Sequence, residues 1–207
     1  MMTSLNNIYI HSENLTQADR QRLLGQKAVT LWLTGLSASG KSTLAYALEH
    51  TLLTEGYKCV VLDGDCLRFG LNKDLGFSAE DRAENIRRVS EVAKLLNNAG
   101  FIVISAFISP YRADRELARE VIGVESFKEV FVNTSLENCE ARDPKGLYVK
   151  ARSGQIPEFT GISSPYEAPV NPVLSLDTAL LSLEESLLKL MRLIEPFNPS
   201  LNTTRSF

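Results

Sequence analysis

The nine residues GLSASGKST, 35–43, restrict this chain more than any other stretch. They lie between an apolar run, 28–34 (AVTLWLT), and a segment of helical character, 42–55, that closes near Gly56. Gly35, Gly40, Lys41 and Ser42 satisfy G-x-x-x-x-G-K-[ST], and a strand before with a helix after is the context in which that pattern cradles phosphate. The backbone N–H groups of Leu36, Ser37, Ala38, Ser39 and Gly40, with a helix N-terminus, would surround an anion. Lys41 would then reach the β- and γ-phosphates and Ser42 would ligate Mg²⁺, with Thr43 ending the motif. Ala38 is awkward. Glycine is common at that place in related loops, and a positive φ there would cost an alanine about 1 kcal/mol.

The rest of the chain repeats the strand-then-helix order. Short apolar runs at 59–62, 102–107 and 130–133 read as buried strands. Ser78 opens a helix in which S-A-E-D resembles a capping box with Asp81 in the place of glutamate. Ile86, Val89, Ala93 and Leu96 follow at helical spacing up to a Gly100 cap. Further helices are expected at 112–121, at 135–142 and from Ser182, where S-L-E-E is another capping box, to about 195. This alternation predicts an α/β fold of the P-loop NTPase type, a parallel β-sheet with helices on both faces. One domain, 1–207, is expected, with an N-terminal segment and helix at 1–25 and a frayed tail at 196–207. Residues 143–172 are rich in Gly, Pro and charge and show no sustained period, as a mobile lid or binding loop would.

With 25 acids against 22 bases the net charge is −3, which gives no reason to expect nucleic acid or an anionic membrane as partner. No apolar run approaches the roughly 18 residues of a membrane span. The N-terminus lacks the basic-then-apolar order of a secretory signal. Cys59, Cys66 and Cys139 are odd in number and have no metal-ligand spacing. A reduced, cytoplasmic protein is the simplest expectation.

A phosphate cradle says which nucleotide end is held, not where the phosphoryl group goes. The third apolar run, FIVISAF, has no acid at its end, whereas the second runs into LDGDCLRFGLN, 62–72. Ligands bind at the carboxyl ends of strands in such sheets, so Asp63 and Asp65 would face the γ-phosphate. A carboxylate there suits a hydroxyl acceptor, whose proton it takes. The plainer reading is a solvated Asp-Gly turn. Arg68, Arg82 with Asn85 on one helix face, and Arg112 with Arg115 lie beyond strand ends. Singly each arginine reads as a surface charge, and together they read as a clamp for a second anion. Phe77 and Phe159 could stack on a base or belong to a core.

Longer stretches carry a resemblance. LDGDCLRFGLNKDLGFSAEDRAENIRR, FISPYRADRELAR and DPKGLYVKARSG…FTGISSPYEAP resemble, in order, the signatures of the adenylylsulfate kinases in their stand-alone form, with similarity from His11 to about Ile194. The resemblance implies transfer from MgATP to the 3′-hydroxyl of adenosine 5′-phosphosulfate, and a homodimer. It implies that Arg68, Arg82 and Asn85 hold the phosphosulfate or its ribose. Phe77 and Phe159 would sandwich the adenine, and Ile108 and Ser109 would line the pocket. Lys145 would approach phosphate from the lid with Arg142 nearby on the ATP side. Asp63 would be the base, and Asp65 would support the ribose or a Mg²⁺-bound water. Ser109 is the family's phosphoserine position, yet FISPYR offers it no histidine or lysine as activator. The sequence departs from the family at Ala38, Cys66, Phe69 and Val149. A kinase of another small hydroxyl acceptor, or a non-catalytic nucleotide-sensing domain, remain the alternatives.

Overall fold

A computed structural model describes residues 15–194. His11, the first fourteen residues and the tail from 195 onward lie outside the described residues. Eight helices and five strands alternate: α1 (Gln17–Leu24), β1 (Thr30–Thr34), α2 (Lys41–Thr54), β2 (Cys59–Asp63), α3 (Gly64–Phe69), α4 (Ala79–Asn98), β3 (Ile102–Ala106), α5 (Arg112–Ile122), β4 (Phe127–Val132), α6 (Leu136–Arg142), α7 (Leu147–Arg152), β5 (Leu174–Leu176) and α8 (Leu183–Met191). The sheet is wholly parallel, in the order β2-β3-β1-β4-β5. After β1 the chain goes to one side for β2 and β3, then crosses to the other for β4. The carboxyl end of the central strand is therefore where a crevice opens.

Alternation along the strands sorts the core into two layers. Leu31 and Leu33 of β1, Ile102 and Ile104 of β3, and Val130 and Val132 of β4 pack against Leu44, Leu48 and Leu52 of α2 and Leu190 of α8. Trp32 and Val103 point the other way, against Ile86, Val89 and Ala93 of α4 and Ala118 and Ile122 of α5. Each fully buried leucine contributes about 1.5–3 kcal/mol, and this burial, more than helix propensity, places α2 directly behind the glycine-rich loop.

Several boundaries differ from expectation. β1 starts at Thr30, because Ala28 and Val29 precede the ladder, and β4 starts at Phe127 rather than 130. The Ser182 capping box is complete, but α8 ends at Met191. The Ser78 box is only half formed. Ser78 Oγ accepts from the Asp81 amide, while the shorter Asp81 carboxylate turns to the amide of Gly76 at 3.0 Å. The aperiodic stretch 143–172 is not structureless either. It contains α7, and Tyr148, Ala151 and Phe159 form a small core with Cys139, against which Leu36 and Ala38 pack. Asp143 also accepts the amides of Leu147, Tyr148 and Val149, which starts α7.

Candidate active site

The glycine-rich loop turns sharply out of β1. A Cβ on Gly35 would lie 2.5 Å from the Val132 carbonyl oxygen, so only glycine fits there. Gly40, at φ 100°, stands as N-cap of α2 with no side-chain cap, which leaves the first amides of the helix to a ligand. Ala38 does adopt the left-handed conformation, φ 58°.

Lys41 is buried, and its Nζ donates to Leu36 O at 2.6 Å and Ser39 Oγ at 3.4 Å, inside the cradle. Burial lowers its pKa to about 8, against the opposing pull of Cys139, Asp63 and Asp65. An anion delivered here would be matched to a cation that the protein itself solvates poorly.

Ser42 Oγ donates to Asp63 Oδ2 at 2.7 Å. This hydrogen bond joins the first turn of α2 to the end of β2. The other oxygen of Asp63 accepts from the amides of Asp65 and Cys66, so the buried carboxylate also caps α3. Asp65 is exposed and ion-paired with Lys145, which reaches over from the segment after α6. Lys145 thus stands beside the end of β2, held by the Asp65 carboxylate. Thr43 is exposed on the first turn of α2.

Arg68 donates to Leu75 O and Gly76 O, and its guanidinium sits 4.2 Å from the centre of the Phe77 ring. Its pKa is lowered by burial and by neighbouring Arg82. Two guanidiniums that repel one another at a half-buried site favour an anion between them. Arg82 donates to Phe77 O, Glu158 O and Thr160 Oγ1. It therefore straps the Phe77 turn to the loop carrying Phe159. Phe77 is 62% exposed and free to stack. Phe159 is packed edge-on against Tyr148 at 5.0 Å and largely buried, so it is core as much as platform. Asn85 is buried and accepts from Asn72 Nδ2 at 2.9 Å.

Ile108 and Ser109 follow β3. Ser109 has φ 39° and is buried; its hydroxyl accepts from the Trp32 indole at 3.2 Å, and its carbonyl accepts from Arg115 at 2.7 Å. The hydroxyl is enclosed beneath the sheet with no base beside it. Arg115 is buried and donates to Glu129, Ser109 O and Glu167 O, so it belongs to the scaffold rather than to an anion clamp, while exposed Arg112 donates through Nε to Ala168 O.

The cradle is held from behind largely by residues that sequence reasoning missed. Thr134 and Thr178 both donate to Ser39 O, and Arg142 bridges Thr178 and Ala38 O. Tyr148 donates to Ser37 O. Thr134 and Thr178 come from the loops after β4 and β5, Arg142 from the end of α6 and Tyr148 from α7, and no local motif marks Thr134, Thr178 or Tyr148. Arg142 reaches the cradle through the backbone oxygen of Ala38.

Cradle, buried cation and strand-end acid on one crevice define a P-loop kinase. Residues 27–177 match the profile of the adenylylsulphate kinase family. An adenylyl-sulfate kinase of Phocaeicola vulgatus is 56% identical over 191 residues, 92% of this chain and 94% of that protein. The solved structure of Mycobacterium tuberculosis APS kinase in complex with AMPPNP and APS superimposes with a TM-score of 0.78 at 51% identity, covering 81% of this chain and 98% of that one. The hexameric APS kinase of Thiobacillus denitrificans gives 0.60 at 30% identity, covering 84% of this chain and 31% of that one. This chain belongs to the adenylylsulphate kinase family.

Proposed function

We propose that the protein phosphorylates the 3′-hydroxyl of adenosine 5′-phosphosulfate with MgATP, giving ADP and 3′-phosphoadenosine 5′-phosphosulfate for sulfate assimilation. The observation that carries this reading is the Ser42–Asp63 hydrogen bond. It puts the acid that would take the acceptor's proton directly against the cradle that would hold the donor. The family match and the AMPPNP and APS bound by the M. tuberculosis relative support the pair of substrates.

Direct transfer is the route that fits these residues. The loop amides and Lys41 hold the triphosphate and spread the charge that develops on it. Arg68, Arg82 and Asn85 hold the phosphosulfate, Phe77 takes one face of the adenine with Phe159 on the other, and Ile108 lines the pocket. Asp63 accepts the 3′-hydroxyl proton as that oxygen attacks. The hard hydroxyl oxygen of Ser42, on the first turn of α2 beside Asp63, fits Mg²⁺, which takes one or two protein oxygens alongside phosphate and water. When bound, Mg²⁺ would neutralise charge on the β- and γ-oxygens. Asp65 and Lys145 form a latch that opens as the acceptor enters, and 143–172 moves as a lid through it. Among the described residues no helix is long and apolar enough to cross a membrane. A cytoplasmic homodimer completes the proposal.

Coupled ADP release with the sulfonucleotide, against gluconate and unmodified nucleosides, tests the assignment. Turnover confined to the sulfonucleotide is expected. Equal turnover with another alcohol, or none with any, would overturn it.

A further inference from the structure

Asn72 lies within the LDGDCLRFGLN stretch but carries none of the roles given above, and it is fully buried. It sits in the turn between α3 and α4, which is held from several sides. Arg68 donates to Leu75 O and Gly76 O, and Arg88 of α4 donates to Leu71 O and to both oxygens of Asp74. The Asp81 carboxylate accepts from the Gly76 amide, and the Asn72 amide itself donates to Leu67 O. A turn braced in this way fixes where the Asn72 side chain stands.

That side chain makes one contact of consequence. Its Nδ2 donates to Asn85 Oδ1 at 2.9 Å, and its own Oδ1 accepts no hydrogen bond among the described residues. Turning both carboxamides over would leave two buried N–H donors on Asn72 bare in place of one N–H and one carbonyl oxygen, and a bare buried N–H is the rarer and worse case. We infer that Asn72 is a positioning residue for the acceptor site: by occupying Asn85 Oδ1 it leaves Asn85 able to offer only N–H donors to the anionic acceptor. This rests on the reading above that Asn85 meets the phosphosulfate or its ribose. A carboxamide is ambivalent, since one end attracts an anion and the other repels it. A second asparagine, rigidly placed, removes the ambiguity without adding charge.

The experiment compares Asn72→Asp, Asn72→Ala and Asn85→Ala by separate KM values for sulfonucleotide and ATP, together with kcat. Asn72→Asp is nearly isosteric but, ionised, can only accept, so it draws the Asn85 N–H₂ to itself and turns the oxygen toward the anion. Its KM for the sulfonucleotide should rise about 10- to 100-fold, the worth of a hydrogen bond to a charged group, with KM for ATP unchanged. Asn72→Ala removes the constraint without imposing the wrong one, so a smaller rise in the same KM is expected. It also serves as the folded comparison if the aspartate variant proves unstable. A merely structural role would move both substrates' KM values together, or make the cavity variant the worse of the two. Either result, or a sulfonucleotide KM untouched by both Asn72 variants while Asn85→Ala raises it, would overturn this inference alone. An unchanged KM in Asn85→Ala would overturn the placement of the acceptor at Asn85, and this inference with it.

Discussion

The Ser42 hydroxyl donates to the Asp63 carboxylate at 2.7 Å, across 21 residues of sequence, and so links the phosphate cradle to the end of β2. Replacing Asp63 by asparagine keeps the size but removes the base. The expected result is a loss of about 10²-fold or more in kcat. Ser109→Ala should retain measurable activity, because its hydroxyl is enclosed against Trp32 and has no activating base. Steady-state kinetics on the two variants check this; Asp63→Asn turning over at the wild-type rate would remove Asp63 from the chemistry.

Arg82 should divide its effects unequally. Arg82→Ala is expected to raise KM for the sulfonucleotide by about tenfold or more, the scale of a charged hydrogen bond, with KM for ATP nearly intact. Because Arg82 also ties Phe77 O to Glu158 O, limited proteolysis near 158–160 should become faster in the variant. A larger effect on ATP than on the sulfonucleotide would mean that the two subsites have been exchanged.

Ala38 carries a strain that glycine would relieve. At φ 58° a Cβ costs about 1 kcal/mol, so Ala38→Gly should raise stability by a few tenths of a kcal/mol, after the unfolded chain's gain in entropy is subtracted. Denaturant melts of the nucleotide-free protein measure it. Destabilisation would show that the methyl's packing against the Tyr148 and Phe159 cluster outweighs the strain.

Cys59 supplies a pH dependence of known sign. Burial, with a smaller contribution from Glu49, raises its thiol from 9.0 to about 11. Between those values the folded state keeps a proton that the unfolded state has lost, so stability falls as pH rises. Tyr46 and Tyr166, each raised to about 12, act in the same direction at higher pH and cancel in a comparison with Cys59→Val. Relative to that variant, the wild type should lose on the order of 1–2 kcal/mol from pH 9 to 11. A constant difference would place the thiol in water.

How much could be read from sequence follows from what makes each element. GLSASGKST is a local device, and its Gly-Lys-Ser order is legible because consecutive residues build the cradle. The strands β1 to β4 are legible as apolar runs, and Ser182 as a cap. β5 is not, since three residues give too little alternation to distinguish it from a loop. The 143–172 segment reads as unstructured because its core partners, Cys139, Leu36 and Ala38, lie in other elements. For the same reason the arginines could not be sorted by composition. Arg68 and Arg82 lie close enough to repel one another, while Arg115 is fastened to Glu129. Only the three-dimensional neighbours separate the two cases.

The most direct test of the account is a single turnover with γ-labelled ATP, quenched rapidly in the presence of adenosine 5′-phosphosulfate. Label should pass from ATP to the 3′ position of the sulfonucleotide without appearing on the protein, at the same rate in Ser109→Ala to within a few-fold and about 10² slower in Asp63→Asn. Label appearing on Ser109 fast enough to precede product, or no transfer to the sulfonucleotide at all, would contradict it.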